Sequence, residues 1–184
     1  MKTNKTVLIT GASKNLGNYL TKYYLEKKYN VIGITKKSKS NINKNTYLCD
    51  LSNINKTNIL FKKIKKKYKK IYFIISCAGA SKKTYKTNTL EPNPKNYYGI
   101  SKLLSEKILY NFYKENLTNI DILRIPRVVF NDSNNLISSM IISAISQKKI
   151  IISNSPAKFN FIYSDDLLKV FEACLRQKKK GFRI

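Results

Sequence analysis

The stretch from Thr6 to Tyr24 limits what this chain can fold into more than any other. TVLIT is a short, β-branched run that ends at Gly11. The turn Gly11-Ala12-Ser13-Lys14-Asn15-Leu16-Gly17 follows, and Leu16, Leu20, Tyr23 and Tyr24 then recur at helical spacing. This order predicts a buried strand, a tight turn and a helix. Gly11 permits the turn off the strand, and Gly17 lets the helix approach the sheet closely. The helix then points unpaired N–H groups and a positive partial charge at whatever sits over the turn, an arrangement suited to a diphosphate.

The rest of the chain continues the alternation. Strands are predicted at 31–35, 46–49, 71–77, 120–125, 149–152 and 160–163. Helices are predicted from Ser52 or Asn53 to about Lys69, over 95–114 burying Leu103, Leu104, Ile108, Leu109 and Phe112, and over 136–147. A last helix is capped by Ser164 or Asp165, carries Lys178–Lys180 in its final turn and stops at Gly181. Alternating strands and helices imply an α/β fold with a doubly wound, Rossmann-like parallel sheet. We expect one domain over 1–184, with 131–165 forming a small substrate-side lobe.

Composition removes several chemistries. The chain has 36 Lys+Arg against 10 Asp+Glu, a net charge of +26, and no His. Without His there is no Ser-His-Asp triad, HExxH zinc site or His-ligated haem, and no metal site is expected. Cys49, Cys77 and Cys174 are widely spaced and odd in number, which fits a reducing compartment. No apolar run reaches the length of a membrane span, so a cytoplasmic protein is expected. Lys, Asn, Ile, Tyr and Phe all have A/T-rich codons and are abundant here, so the Lys excess behind the charge reads as the mark of an A/T-rich genome. In KKIKKKYKK (62–70), Ile64 and Tyr68 share one helix face with Leu60. The lysines then read as a solvated face rather than a nucleic-acid surface.

TGASKNLG resembles the TGxxxGxG loop of the short-chain dehydrogenase/reductase superfamily, with Asn15 at the middle glycine. Asn accepts left-handed backbone angles better than most residues. Asp50-Leu51 resembles the superfamily's acidic adenine contact, although a helix-capping role for Asp50 is the alternative. Ser76-Cys77-Ala78-Gly79 resembles its NNAG element. Later segments are similar to the extended, epimerase/dehydratase-like branch: YGISKLLSE at 98–106, LRIPRVVF at 123–130 and FNFIYSDDLLKVFEACL at 159–175. In the last, Asp166 reads as a structural cap. Arg124 and Arg127 are candidates for meeting a diphosphate.

The resemblance implies a nicotinamide cofactor held by Gly11, Ser13, Lys14, Asn15, Leu16, Gly17, Lys36, Asp50, Leu51, Ala78 and Gly79. Enzymes that choose NAD place a carboxylate at the end of the second strand. Here that position is Thr35, followed by Lys36 and Lys37, and Lys14 lies in the turn. NADP is therefore expected, with NAD the alternative.

Tyr98 and Lys102 are four residues apart, hence one turn apart on a helix face. An ammonium beside a phenol favours the ionised form, which can take a proton. The pair is expected to be catalytic, with Lys102 also anchoring the nicotinamide ribose. Ser76 is expected to steady the substrate oxygen, with Cys77 and Ser81 as alternatives.

Only 18 residues separate Gly79 from Tyr98, too few for the additional strand–helix unit of relatives. The substrate pocket is thus expected to be small, open, or completed by a partner subunit in a homodimer. The reading is an NADP(H)-dependent oxidoreductase or epimerase/dehydratase acting on a nucleotide sugar or related carbonyl compound. A catalytically impaired nucleotide-binding or regulatory relative is the alternative, and a basic nucleic-acid-binding module is a third reading.

Overall fold

The computed structural model describes residues 5–36, 44–78, 94, 96–116, 119–130, 136–150, 160–177 and 181–184. The chain divides into two compact units, 1–80 and 81–184.

The first unit is a four-stranded parallel sheet with two helices. It runs β1 (Thr6–Thr10), α1 (Asn15–Glu26), β2 (Asn30–Thr35), β3 (Thr46–Leu48), α2 (Ile54–Lys67) and β4 (Phe73–Ser76). The strand order is β3-β2-β1-β4, that of one half of a Rossmann sheet. The register pairs Leu8 with Ile32, Ile34 with Tyr47 and Thr10 with Ser76. Central strands buried on both faces read as continuous apolar runs, and β1 is buried throughout. One face packs Leu8, Ile32, Ile34 and Cys49 under Leu60 and Ile64 of α2. Tyr24 of α1 is fully buried and meets Phe73 edge-on at 5.2 Å. Asn53 caps α2 by accepting from the Lys56 N–H at 3.0 Å. That helix ends at Lys67, two residues before the predicted Lys69, and its lysines lie on exposed faces.

The second unit holds α3 (Tyr97–Asn116), β5 (Ile120–Asp121), β6 (Arg127–Val129), α4 (Leu136–Ile145), β7 (Phe161–Tyr163), α5 (Ser164–Arg176) and β8 (Phe182–Arg183). Its strands form two parallel pairs, β5 with β8 and β6 with β7.

Several expectations change here. The fifth strand keeps only two of its six predicted residues. Residues 149–150 carry no regular structure, and 151–152 lie outside the described residues. The last helix ends at Arg176, and Gln177 is already extended. Its N-cap is Tyr163 without a side-chain bond, not Ser164 or Asp165. Lys178–Lys180 lie outside the described residues.

The largest change is in α3. Leu104, Ile108, Leu109 and Phe112 are 57%, 67%, 40% and 48% exposed. The half-buried positions are Leu103, Glu106 and Tyr113, again at helical spacing. Tyr110 and Tyr113 meet Phe182 at 5.1 and 5.9 Å, and Glu106 takes Arg124. The helix carries two apolar stripes, and β8 engages the aromatic one. No helix among the described residues is long and apolar enough to cross a membrane.

Candidate functional site

The turn after β1 lies where the strand order reverses between β1 and β4. In open α/β sheets this is where ligands bind. Gly11 has φ +68°. A β-carbon on it would sit 3.0 Å from the Ala78 nitrogen and from the Cys77 carbonyl. Asn15 has φ +45°, so the residue standing at the middle glycine's position is in the left-handed region that Asn tolerates. Lys14, the N-cap of α1, is extended and makes no side-chain cap bond. Gly17 lies so close to the turn that a β-carbon would come 2.1 Å from the Gly11 carbonyl oxygen.

Hydroxyl groups hold this edge together. Thr10 accepts from the Ala78 N–H at 3.1 Å and donates to the Ser76 hydroxyl at 3.5 Å. The Ala12 N–H reaches the Ile34 carbonyl at 3.1 Å. The Ser13 and Thr35 hydroxyls lie 2.6 Å apart. The sequence marked Thr35 only as the place of a missing carboxylate and Thr10 only as the start of TGASKNLG, and neither hydroxyl was assigned a partner. Each ends a strand beside the glycine turn, and that position was the available signal.

Lys36 and Asp50 leave the C-terminal ends of neighbouring strands, since Thr35 pairs with Leu48. They form an ion pair, Nζ to Oδ2, at 2.7 Å. The Ser52 N–H and hydroxyl both donate to Oδ1 of Asp50, at 3.1 and 2.8 Å. The Lys36 ammonium first, then Ser52, hold the Asp50 carboxyl down to about 2. Asp50 does not cap α2, because Asn53 does. Ser52 was missed as the residue orienting Asp50, although Asp-x-Ser spacing is a known Asx-type signal. Leu51 packs partly buried against the core under α2.

Lys37, Gly79 and Ser81 lie outside the described residues. Ser76, on an edge strand, is exposed and Cys77 half-buried.

The second unit carries the Tyr-Lys pair on the first turns of α3. Asn96 caps this helix by accepting from the Gly99 N–H at 2.8 Å. Tyr98 is half-buried, whereas Tyr97 is 92% exposed. The Lys102 ammonium lies 5.4 Å from the centre of the Tyr98 ring, so the two share a face as the i, i+4 spacing requires. Arg124 is not a free diphosphate fork. Both its Nε and Nη2 donate to Glu106, at 3.1 and 2.7 Å, and Glu106 holds its guanidinium above the usual range. Asp166 sits in the first turn of α5, where a carboxylate suits the helix dipole, and pairs with Lys169 at 2.8 Å.

The turn itself fits the diphosphate of a dinucleotide. Only glycine passes at positions 11 and 17, and Asn15 completes the left-handed bend. The first turn of α1 therefore starts at the switch point, where its N–H groups suit a diphosphate.

The chain is similar to several solved structures at identities that speak to the fold. Against the dTDP-glucose 4,6-dehydratase of Bacillus anthracis, solved in complex with NAD, identity is 16% over 97% of this chain and 74% of that one, with a TM-score of 0.71. Against the UDP-glucose 4-epimerase of Thermotoga maritima, solved with UDP-glucose, the values are 15%, 97%, 75% and 0.73. Against the UDP-N-acetylglucosamine 4-epimerase of Bacillus cereus they are 20%, 98%, 75% and 0.71. A search of curated proteins found no match. The sequence profile of the NAD-dependent epimerase/dehydratase family matches residues 7–82 and 47–183, nearly the whole length. The glycine turn, the Rossmann strand order and this match agree, and the chain belongs to the NAD-dependent epimerase/dehydratase family, whose members are NAD(P)-dependent enzymes.

Proposed function

We propose that this protein is an NADP(H)-dependent oxidoreductase or epimerase/dehydratase acting on a nucleotide sugar or related carbonyl compound. The observation that carries the reading is the turn from Gly11 to Gly17, with its two positive-φ residues and its glycine-only contact. The nicotinamide group supplies hydride transfer when bound. Gly11, Ser13, Lys14, Asn15, Leu16 and Gly17 cradle the diphosphate through backbone N–H groups and the α1 dipole. Ala78, small and half-buried, leaves room at the strand end. Lys36 reads the ribose 2′ position, where a carboxylate would mark NAD. Asp50 and Leu51 border the base.

Tyr98 moves the proton to or from the substrate oxygen, with the Lys102 ammonium 5.4 Å from its ring centre. Lys102 also holds the nicotinamide ribose. Ser76 steadies the substrate oxygen. Residues 131–165 contribute a reduced substrate lobe, and a second copy of the chain completes the pocket as a homodimer.

The test is a fluorescence titration of purified protein with NADPH and NADH, followed by turnover of UDP- and dTDP-sugars. Tighter binding of NADPH and conversion of at least one sugar nucleotide are expected. Tighter binding of NADH rejects the NADP assignment. Binding without turnover across the panel rejects the enzymatic reading in favour of a regulatory relative.

A further inference from the structure

The Lys36–Asp50 pair is built asymmetrically. Oδ1 of Asp50 is anchored to its own backbone turn by both donors of Ser52. Oδ2 is left for the Lys36 ammonium, at 2.7 Å. The carboxylate would stay fixed if the lysine left. The Lys36 side chain is 61% exposed, and its flexible stem can swing. Beside it, the Ser13 and Thr35 hydroxyls are tied together at 2.6 Å, closing the end of β2 against the glycine turn. Among the described residues Lys36 is the ammonium at the C-terminal end of β2, and it has an anionic partner in Asp50. An exposed pair of this kind is worth little in water, so a dianionic phosphate can displace the carboxylate from the lysine.

We infer that Asp50 acts on cofactor choice through Lys36: it holds the ammonium in an internal ion pair that a 2′-phosphorylated adenosine must break and that an unphosphorylated one leaves intact. The inference rests on the nucleotide-binding reading above. Asp50 is a positioning residue whose carboxylate competes with the 2′-phosphate for one cation. It thereby moderates the preference for NADP that Lys36 creates.

The experiment is calorimetric titration of the full chain with NADP+, NAD+, 2′,5′-ADP and 5′-AMP. The wild type is compared with Asp50→Asn, Lys36→Gln and the double variant. Asn keeps an oxygen for the Ser52 donors and removes only the charge. Asp50→Asn should raise the NADP+ to NAD+ and the 2′,5′-ADP to 5′-AMP affinity ratios roughly three- to fivefold, since any change at the base is common to both members of each pair. Lys36→Gln should weaken the two 2′-phosphorylated ligands roughly tenfold. In that background Asp50→Asn should leave both ratios unchanged.

An unchanged NADP+ to NAD+ ratio in Asp50→Asn, or an effect that persists without Lys36, overturns the inference while leaving the nucleotide site standing. Failure of the wild type to bind either dinucleotide rejects the site itself and the inference with it. The wild type also supplies a readout free of substitutions, the NMR signal of the Lys36 ammonium. It should move on addition of 2′,5′-ADP and stay in place with 5′-AMP, and equal responses to both overturn the inference.

Discussion

Gly17 and the carbonyl oxygen of Gly11 are packed so closely that a β-carbon on Gly17 would lie 2.1 Å from that oxygen. The obstacle is backbone, which cannot rotate away as a side chain would. Gly17→Ala is therefore expected to lose roughly 1–3 kcal/mol or more of stability by urea denaturation. Gly33→Ala serves as the comparison. Its nearest neighbours are the Ala12 β-carbon at 3.1 Å and the Thr46 hydroxyl at 3.2 Å, and its loss should be smaller. A Gly17→Ala protein as stable as the wild type would contradict this packing.

Asn15 sits at φ +45°. Glycine adopts such an angle without steric cost, whereas a β-branched residue is penalised by roughly 1–2 kcal/mol. Asn15→Gly should leave stability and NADPH affinity close to wild type. Asn15→Val should reduce stability by about that penalty and weaken nucleotide binding. Equal behaviour of the two variants in thermal denaturation would show that the turn does not need the left-handed angle.

Asp50 has its carboxyl lowered from 3.8 to about 2 by Lys36 and Ser52. A depressed folded-state value stabilises the folded chain fully above 3.8, and that contribution is lost as the pH falls towards about 2. A carbon-13 NMR titration should place the Asp50 midpoint near 2 in the wild type. Lys36→Gln should return it towards 3.8, and an ordinary midpoint in the wild type would contradict the ion pair.

Tyr98→Phe removes one oxygen from a half-buried ring and keeps its contact with Lys102. If Tyr98 carries the proton, turnover should fall roughly 10²–10⁴-fold, with NADPH affinity within about twofold of wild type. Retained turnover assigns the proton to another group. A parallel loss of NADPH binding would instead mean that the variant had disturbed the fold.

Much of the site was readable because its determinants are local. The TVLIT run, the spacing of Gly11 and Gly17 and the choice of Asn at 15 are backbone requirements met within twelve residues. Tyr98 and Lys102 follow from the pitch of one helix. The Asn53 cap is likewise a contact across three residues. Ser13–Thr35 and Thr10–Ala78 were not legible, because each joins strands whose adjacency the sequence does not state.

Lys36 shows the boundary clearly. Its place after the second strand and the missing carboxylate there are sequence facts. Its engagement by Asp50 arises because β2 and β3 are neighbours in the sheet.

The sequence by itself determined the alternation of strands and helices, the glycine turn and the helix that presents Tyr98 with Lys102, because each depends on interactions a few residues apart. Tertiary structure decided the order β3-β2-β1-β4, the ion pair at its edge and the stripe of α3 that packs. More than one stripe of this helix satisfies the same periodicity, and among the described residues the ring contacts with Phe182 and the Glu106–Arg124 pair engage one of them.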